Sequence, residues 1–431
     1  LTVPDEKKRL ALADEAAKGE WTSRDLEIAG RNLLWEKRVA SSAGHAQPAP
    51  TSGEPPAIVL GMSTVLTGPA AALGINMRGG VDLAIAEHNK KRAAGTPQIK
   101  LTCLDDGYEP ARTAPNMREL ITKHHVLAVV GNVGTPTGVV AAPIAVAAKT
   151  PFIGAFTGAA LLRATPPERY IFNVRASYHE EIEAMVATLI DKWKIQPGEI
   201  AFFTQRDAYG DAGWSGGVKA LAAHGLKSTT GTLHVRYERN TLDVEGCVAD
   251  LLGATTPPKA VIMVGAYAPS ARFIRLCHQS KLNPLFLNVS FVGAESLASE
   301  LGSDGDGVIV TQVVPPLDAD LPAVKEFAAA LATLPEGERP KASLGMLEGY
   351  LVGRITCEAI ARCSGTPTPE QLTDALESLG EFDAGLGGKL RLSKDEHQAS
   401  HVVWPSIIES GKVLSRSWES MVKPGGGGEP K

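Results

Sequence analysis

The densest run of small polar groups in the chain is Gly131-Asn132-Val133-Gly134-Thr135-Pro136-Thr137-Gly138, which follows the apolar run Leu127 to Val130 and leads directly into a helical stretch. A glycine-bearing turn that opens a helix presents unpaired backbone N–H groups and the positive end of the helix dipole, and Thr135 and Thr137 add hydroxyls. That set suits a carboxylate. Threonines at such a turn also serve simply as helix caps. A second turn of the same kind, Thr157-Gly158-Ala159-Ala160, comes directly after Phe152 to Phe156 and strengthens the ligand reading of both. Two more strand-end loops place a tyrosine just before a helix: Asp207-Ala208-Tyr209-Gly210 and Gly265-Ala266-Tyr267. A tyrosine there can lay its flat face on a ligand and hydrogen-bond through its hydroxyl, although it is equally at home in any half-buried loop.

Patterns for catalysis or metal binding are weak by comparison. Gly213-Trp214-Ser215-Gly216-Gly217 has the form G-x-S-x-G, but a nucleophile elbow needs its strand immediately before the serine, and about ten residues separate Ser215 from the run Ile200 to Thr204. Ser215 is expected in the first turn of a helix instead. His397 and His401 are spaced for one helix face, yet no carboxylate lies between them and no third ligand is near, so an ordered turn is expected there. His179-Glu180-Glu181 lacks the second histidine of a zincin. Cys103, Cys247, Cys277, Cys357 and Cys363 are scattered without a C-x-x-C pair, which points to buried apolar fillers and leaves one disulfide open. Asp105-Asp106 reads as a strand-end cap. No G-x-G-x-x-G and no phosphate-binding loop occurs, and no cofactor or metal is expected.

The elements that must hold these loops follow from the hydrophobic pattern. At 431 residues the chain exceeds one minimal domain, and a 44% apolar, 21% charged composition is that of a globular protein. A net charge of -5 without basic runs gives nucleic acid and anionic lipid no purchase. Residues 1–40 show helical spacing, 41–56 have the Ser, Pro and Gly content of a linker, and 423–431 resemble a tail. The chain starts at Leu1, so an export signal or anchor is expected to be missing from it.

Between these flanks short Val-, Ile- and Phe-rich runs alternate with helices, the signature of parallel βαβ units. The uneven break from Phe156 to Ile200, and the nearly all-helical stretch after Val313, argue for two open sheets and against one closed barrel. That stretch is expected to end in a hairpin of Lys389 to Leu392 with Val402 to Ile408. In open α/β sheets ligands bind beyond the carboxyl ends of the strands, which is where the glycine and tyrosine loops fall.

Read in order, these segments resemble the type I periplasmic binding proteins, in particular the leucine/isoleucine/valine-binding protein family. Gly61-Met62-Ser63-Thr64-Val65-Leu66-Thr67-Gly68-Pro69 with Gly74, Leu104-Asp105-Asp106 with Glu109-Pro110, Asp207-Ala208-Tyr209-Gly210 and Val292-Gly293 carry the likeness, which covers about 57–418. The resemblance implies two Rossmann-like lobes, open mostly parallel sheets flanked by helices and joined by three crossovers at Asn173 to Ala176, Val310 to Pro315 and His401 to Trp404. Lobe 1 would be 57–174 with 313–401, and lobe 2 would be 175–312 with 402–422.

The resemblance also implies a site. Gly134, Thr135, Thr137, Phe156, Thr157 and Gly158 match positions that hold an amino acid from the first lobe, and Tyr209 and Tyr267 match the wall of the second. Where amino-acid binders of the family place a glutamate against the ligand's ammonium, this chain has Ser290, so either Asp207 compensates or the ligand is not an α-amino acid. The family's cysteine pair falls on Tyr108 and Gly134, so that disulfide is absent. The implied function is an extracytoplasmic receptor that captures a small amino-acid-like, carboxylate or amide solute by cleft closure for an ABC permease, as a monomer or weak dimer. A ligand-sensing module of a signalling protein is the alternative, and a serine hydrolase a remote third.

Overall fold

The computed structural model describes residues 55–421, so the helical reading of 1–40, nearly all of the linker and the tail lie outside the described residues. Five parallel strands form the first sheet: β1 (Ile58–Thr64), β2 (Ile99–Asp105), β3 (Ala128–Val130), β4 (Phe152–Ile153) and β5 (Ile171–Phe172), in the order β2-β1-β3-β4-β5. The second sheet holds β6 (Ile200–Gln205), β7 (His234–Tyr237), β8 (Ala260–Val264), β9 (Leu285–Asn288) and β10 (Ile309–Gln312). A two-stranded ribbon, β11 (Gly380–Asp383) and β12 (Lys389–Leu392), stands apart. Then β13 (Trp404–Glu409) joins the second sheet antiparallel to β10, and β14 (Lys412–Ser415) closes its edge, giving the order β14-β13-β10-β9-β8-β6-β7. The expected hairpin of Lys389 to Leu392 with Val402 to Ile408 does not form: each half pairs elsewhere, because the chain changes lobes between them.

Helices connect the strands: α1 (Ala71–Lys91), α2 (Pro110–Thr122), α3 (Thr135–Ala147), α4 (Tyr178–Ala187), α5 (Ala208–Ala223), α6 (Glu245–Leu252), α7 (Tyr267–Gln279) and α8 (Ala294–Leu301). Three more, α9 (Pro322–Ala332), α10 (Leu344–Arg362) and α11 (Pro369–Glu377), follow β10. Side chains start them: Ser177 and Glu180 form a capping box on α4, Asp207 caps α5, Ser343 caps α10, and Thr368 with Gln371 boxes α11.

The central strands of the second sheet, β6 and β8, are buried on both faces. Along β8, Ala260, Ile262 and Val264 belong to one apolar cluster and Val261 and Met263 to another, so the two-residue period divides them between the layers of helices. Although it follows a strand of the second sheet, α10 returns to pack lengthwise on α1 beside the first. Small residues permit this. A Cβ on Gly80 would stand 2.0 Å from the Met346 carbonyl oxygen, and one on Gly349 2.2 Å from that of Met77.

Three passages link the lobes, and two run side by side. The Asn173 N–H donates to the His397 carbonyl and the Ala399 N–H to that of Asn173, so the first and third passages are zipped together.

Candidate functional site

In each sheet the strand order reverses direction at one point, between β1 and β3 in the first and between β6 and β8 in the second. Crevices for ligands open at such switch points, beyond the carboxyl ends of the strands. The loops after β3 and β4 occupy that position in the first lobe and those after β6, β8 and β9 in the second.

The two threonine turns meet directly. The Phe156 N–H donates to the Asn132 carbonyl, the Gly134 N–H to that of Phe156, and the Thr135 and Thr157 hydroxyls lie 2.6 Å apart, both fully buried. Gly158 is tied to the start of α4 by the Tyr178 N–H, and the Tyr178 hydroxyl lies beside the threonine pair. Thr137 turns away: its hydroxyl donates to the Val133 carbonyl, four residues back, at 2.5 Å, so it is spent on its own helix without capping it. Gly134 has φ near 105°, and a Cβ there would stand 2.2 Å from the ring of Tyr108.

Opposite these turns the second lobe presents rings. Phe291, from the single turn Ser290–Val292, packs its centroid 4.5 Å from Tyr209, 5.5 Å from Phe156 and 6.0 Å from Tyr108. Phe156 and Tyr108 belong to the first lobe, so this cluster closes the crevice with apolar contact from both sides. Tyr209 therefore stacks on a neighbour of its own lobe. Tyr267 sits apart on the rim, half-buried, with the Ala72 backbone of the first lobe beside its hydroxyl.

Below the rings lies a buried charge network that sequence reasoning missed. Arg175, on the first passage between lobes, is 1% exposed, with its guanidinium 4.9 Å above the Phe156 ring. Its Nη2 donates to the Ser290 hydroxyl and lies 3.3 Å from Glu181, while Nη1 stands 3.5 Å from Glu348. Glu181 in turn accepts from the Ser290 backbone N–H at 2.7 Å, the Ser290 hydroxyl at 3.0 Å and the Thr311 hydroxyl. Ser290 is thus a junction in this network. Arg175 Nε and Nη1 are left without hydrogen-bond partners among the described residues.

Burial pushes the Glu348 carboxyl up to about 7, against the pull of Arg175 and with the push of Glu181. Arg175 stood in the sequence as the lone charge in the expected crossing Asn173 to Ala176, and Glu348 as the lone charge in the apolar run Leu344 to Gly353. Those isolated charges were the signal available.

A cavity of about 20 Å3 remains between the lobes, bounded by Asn76, Phe156, Ser290, Glu295, Gln312 and Glu348 among others. It has room for about one water molecule. A larger groove, of about 510 Å3, lies on the outer side of α1 and α10. Charges there are paired among themselves, Lys91 with Glu87, Arg354 with Glu326 and Arg362 with Glu358, and the strand end that borders it, Asp383 of β11, belongs to the separate ribbon and to neither sheet.

Along one rim the lobes are latched by ions. Arg239 of the second lobe stands 3.0 Å from Asp207 of its own lobe and 3.0 Å from Glu109 of the first, and Asn240 donates to Glu109 at 2.7 Å. The Gln205 amide reaches both Asp207 and the Tyr108 hydroxyl. Asp207 is therefore engaged in capping α5 and in this latch, away from the cavity. At the other side Glu295 accepts the Leu344 N–H at 2.8 Å, again across the lobes.

The weaker motifs resolve as structure. Ser215 is an exposed residue inside α5 with no strand before it. His397 Nδ1 faces the Ile171 carbonyl at 2.9 Å while His401 Nδ1 faces Glu180 at 2.6 Å, and no group of side chains able to hold a metal ion exists among the described residues. Asp105 and Asp106 accept the Leu66, Gly107 and Tyr108 N–H groups as strand-end caps. All five cysteines are free, three of them buried. No helix among the described residues is long and apolar enough to cross a membrane.

The periplasmic binding protein family model matches residues 57–412. Among solved structures, a possible leucine/isoleucine/valine-binding protein from Rhodopirellula baltica is 48% identical, covering 86% of this chain and 99% of its own with a TM-score of 0.82. A substrate-binding periplasmic protein from Ralstonia solanacearum is 25% identical over 83% of this chain and 100% of its own, with a TM-score of 0.75. A fatty acid ABC transporter substrate-binding protein from Thermomonospora curvata shares the fold at 21% identity, 89% and 96% coverage and a TM-score of 0.74. Comparison with curated proteins gives no match.

Proposed function

Because this chain belongs to the type I periplasmic binding proteins, of the leucine/isoleucine/valine-binding family, we propose that it captures a small amino-acid-like, carboxylate or amide solute between its lobes, outside the cytoplasm, and presents it to an ABC importer. The protein is a solute-binding receptor and not an enzyme. The lobe boundaries that fit this reading are 57–174 with 313–401 and 175–312 with 402–422.

One observation carries the proposal. The Thr135–Thr157 pair of the first lobe and the Tyr209–Phe291 pair of the second, from four different strand ends, lie where the lobes face each other, and Phe156 and Ser290 beside them line the cavity there. Capture follows from population shift: a solute that bridges both lobes binds the closed form better than the open one and draws the equilibrium toward closure. A dry site of hydroxyls, N–H groups and ring faces then holds it without chemistry.

Thermal-shift screening against amino acids, amides and aromatic acids tests this, since a ligand at about 100 times its Kd adds about 2.7 kcal/mol to folded-state stability. At least one class is expected to raise the melting point. Thr157→Val, which removes one hydroxyl of the pair at nearly constant volume, is expected to abolish that rise, and the exposed Ser215→Ala to leave it intact. A Thr157→Val protein that responds like its parent places the solute elsewhere.

A further inference from the structure

The cavity between the lobes has a distinct electrostatic character, and any role assigned to it rests on the chain's being a solute receptor. Among the described residues its ionisable wall groups are Glu295 and Glu348, and no Lys or Arg lines it. Glu348 reaches it from α10 of the first lobe, is 3% exposed, and accepts no hydrogen bond from the described residues; its ion-pair partner is Arg175 Nη1 at 3.5 Å, which does not line the cavity. A buried carboxylate without donors is rare, because carboxylates out of water ordinarily accept several hydrogen bonds. Gln312 supplies a further acceptor. The Ser406 hydroxyl donates to the Val310 carbonyl and so accepts from Gln312 Nε2 at 3.0 Å, which leaves Gln312 Oε1 free. Glu295 accepts the Leu344 N–H through Oε1.

The cavity thus gathers acceptors and lacks donors of matching charge. An incoming carboxylate would be repelled by the two glutamates there, whereas a protonated nitrogen would satisfy their carboxylates. We propose that Glu348, with Glu295 beside it, receives the positively charged nitrogen of the solute, an ammonium, in this cavity. Ser290 is then spared that task because the carboxylate comes from the facing lobe. Closure assembles the subsite: Glu348 and Asn76 arrive from the first lobe, Glu295 and Gln312 from beyond the passage, so the charged nitrogen is bound fully only when the lobes meet.

Matched solutes that differ in one group decide the matter: leucine, isoamylamine, 4-methylpentanoate and 4-methylpentanamide, with the same series for a three-carbon and an aromatic skeleton, measured by calorimetry on the wild type, Glu348→Gln and Glu348→Asp. Solutes with the amine are expected to bind and the deaminated acids to bind at least roughly tenfold more weakly. Glu348→Gln is expected to weaken the amine-bearing solutes by roughly tenfold or more, and Glu348→Asp to restore part of the loss. If acids or amides bind the wild type as tightly as their amine counterparts, or Glu348→Gln leaves amine binding unchanged, the receptor stands and this assignment falls. If no solute in the series or in the wider screen binds, the receptor reading itself fails and takes the assignment with it.

Discussion

Replacing Glu348 by glutamine is expected to stabilise the solute-free protein, and by an amount that depends on pH. The folded carboxyl sits near 7 where the ordinary value is 4.5, with burial as the main cause and Arg175, Glu181 and Arg163 as the charges that face it. Between those two values the native state holds a proton that the unfolded chain has released, so stability falls as pH rises through the window. A rise from 4.5 to about 7, at about 1.4 kcal/mol for each pH unit, is a loss of about 3 kcal/mol by pH 8, which glutamine, having no proton to lose, avoids. With an unfolding entropy of roughly 2.1 cal/mol/K per residue over the described body, 3 kcal/mol is about 4 °C in melting temperature. Melting curves of the two proteins, dialysed free of small solutes, should coincide near pH 4.5 and separate progressively to pH 8, with the variant higher. Glu358→Gln, an exposed acid on the same helix, should show no such divergence. A constant gap across pH, or a wild type that gains on the variant as pH rises, would mean that the Arg175 pairing outweighs the burial of Glu348 and that the reasoning is wrong.

Two further outcomes are expected. Arg239→Ala removes the ion pairs to Glu109 and Asp207, and since such partly exposed pairs contribute about 0.2–1 kcal/mol, the solute-free protein should shift toward the open form; small-angle scattering would register a larger radius of gyration, which 0.5 M salt should reproduce in the wild type. An unchanged scattering curve would remove the latch from the account. Gly134→Ala should cost about 1–3 kcal/mol, because its φ near 105° disfavours a side chain and the new Cβ would strike the Tyr108 ring; denaturant unfolding gives the number, and a neutral result would show that the turn can relax.

Much of the scaffold was legible because parallel strands buried on both faces are continuous apolar runs: Leu127 to Val130, Phe152 to Phe156 and Ile200 to Thr204 each fall on a strand. What escaped was set by tertiary contact. Glycines hid the true starts of α1 and α5, since Gly74, Gly79 and Gly80, or Gly210 and Gly213, read locally as breakers. They are there because neighbours come close: a Cβ on Gly210 would lie 1.9 Å from the Gln205 carbonyl oxygen, and one on Gly213 2.5 Å from Val264. His234–Tyr237 and Lys412–Ser415 are four-residue edge strands, half of whose residues are polar, and their pairing partners, not their composition, make them strands. At the site, sequence order located the turns and could not locate what faces them. Thr135 and Thr157 were readable because turn chemistry is local. Arg175 and Glu181 are near neighbours in sequence, but Glu348 is far from both, and the three acquire meaning only when the first passage and α10 bring them to one point.

The two halves of the crevice pull in opposite directions, and that opposition is what a capture device needs. Phe291 among Tyr108, Phe156 and Tyr209 supplies apolar contact across the lobes and favours closure, while Glu348, buried without a hydrogen bond, disfavours it. If the rings dominated, the closed form would exclude solute and the apparent affinity would fall by the fraction of molecules still open. If the charge dominated, the lobes would stay apart and a weak solute could not bring them together. A nitrogen cation that cancels the Glu348 charge removes the opposing half and leaves the rings to hold the lobes shut. Selectivity then resides in the sign of the group that enters the cavity, and the threonine turns and ring faces are free to accept more than one solute skeleton.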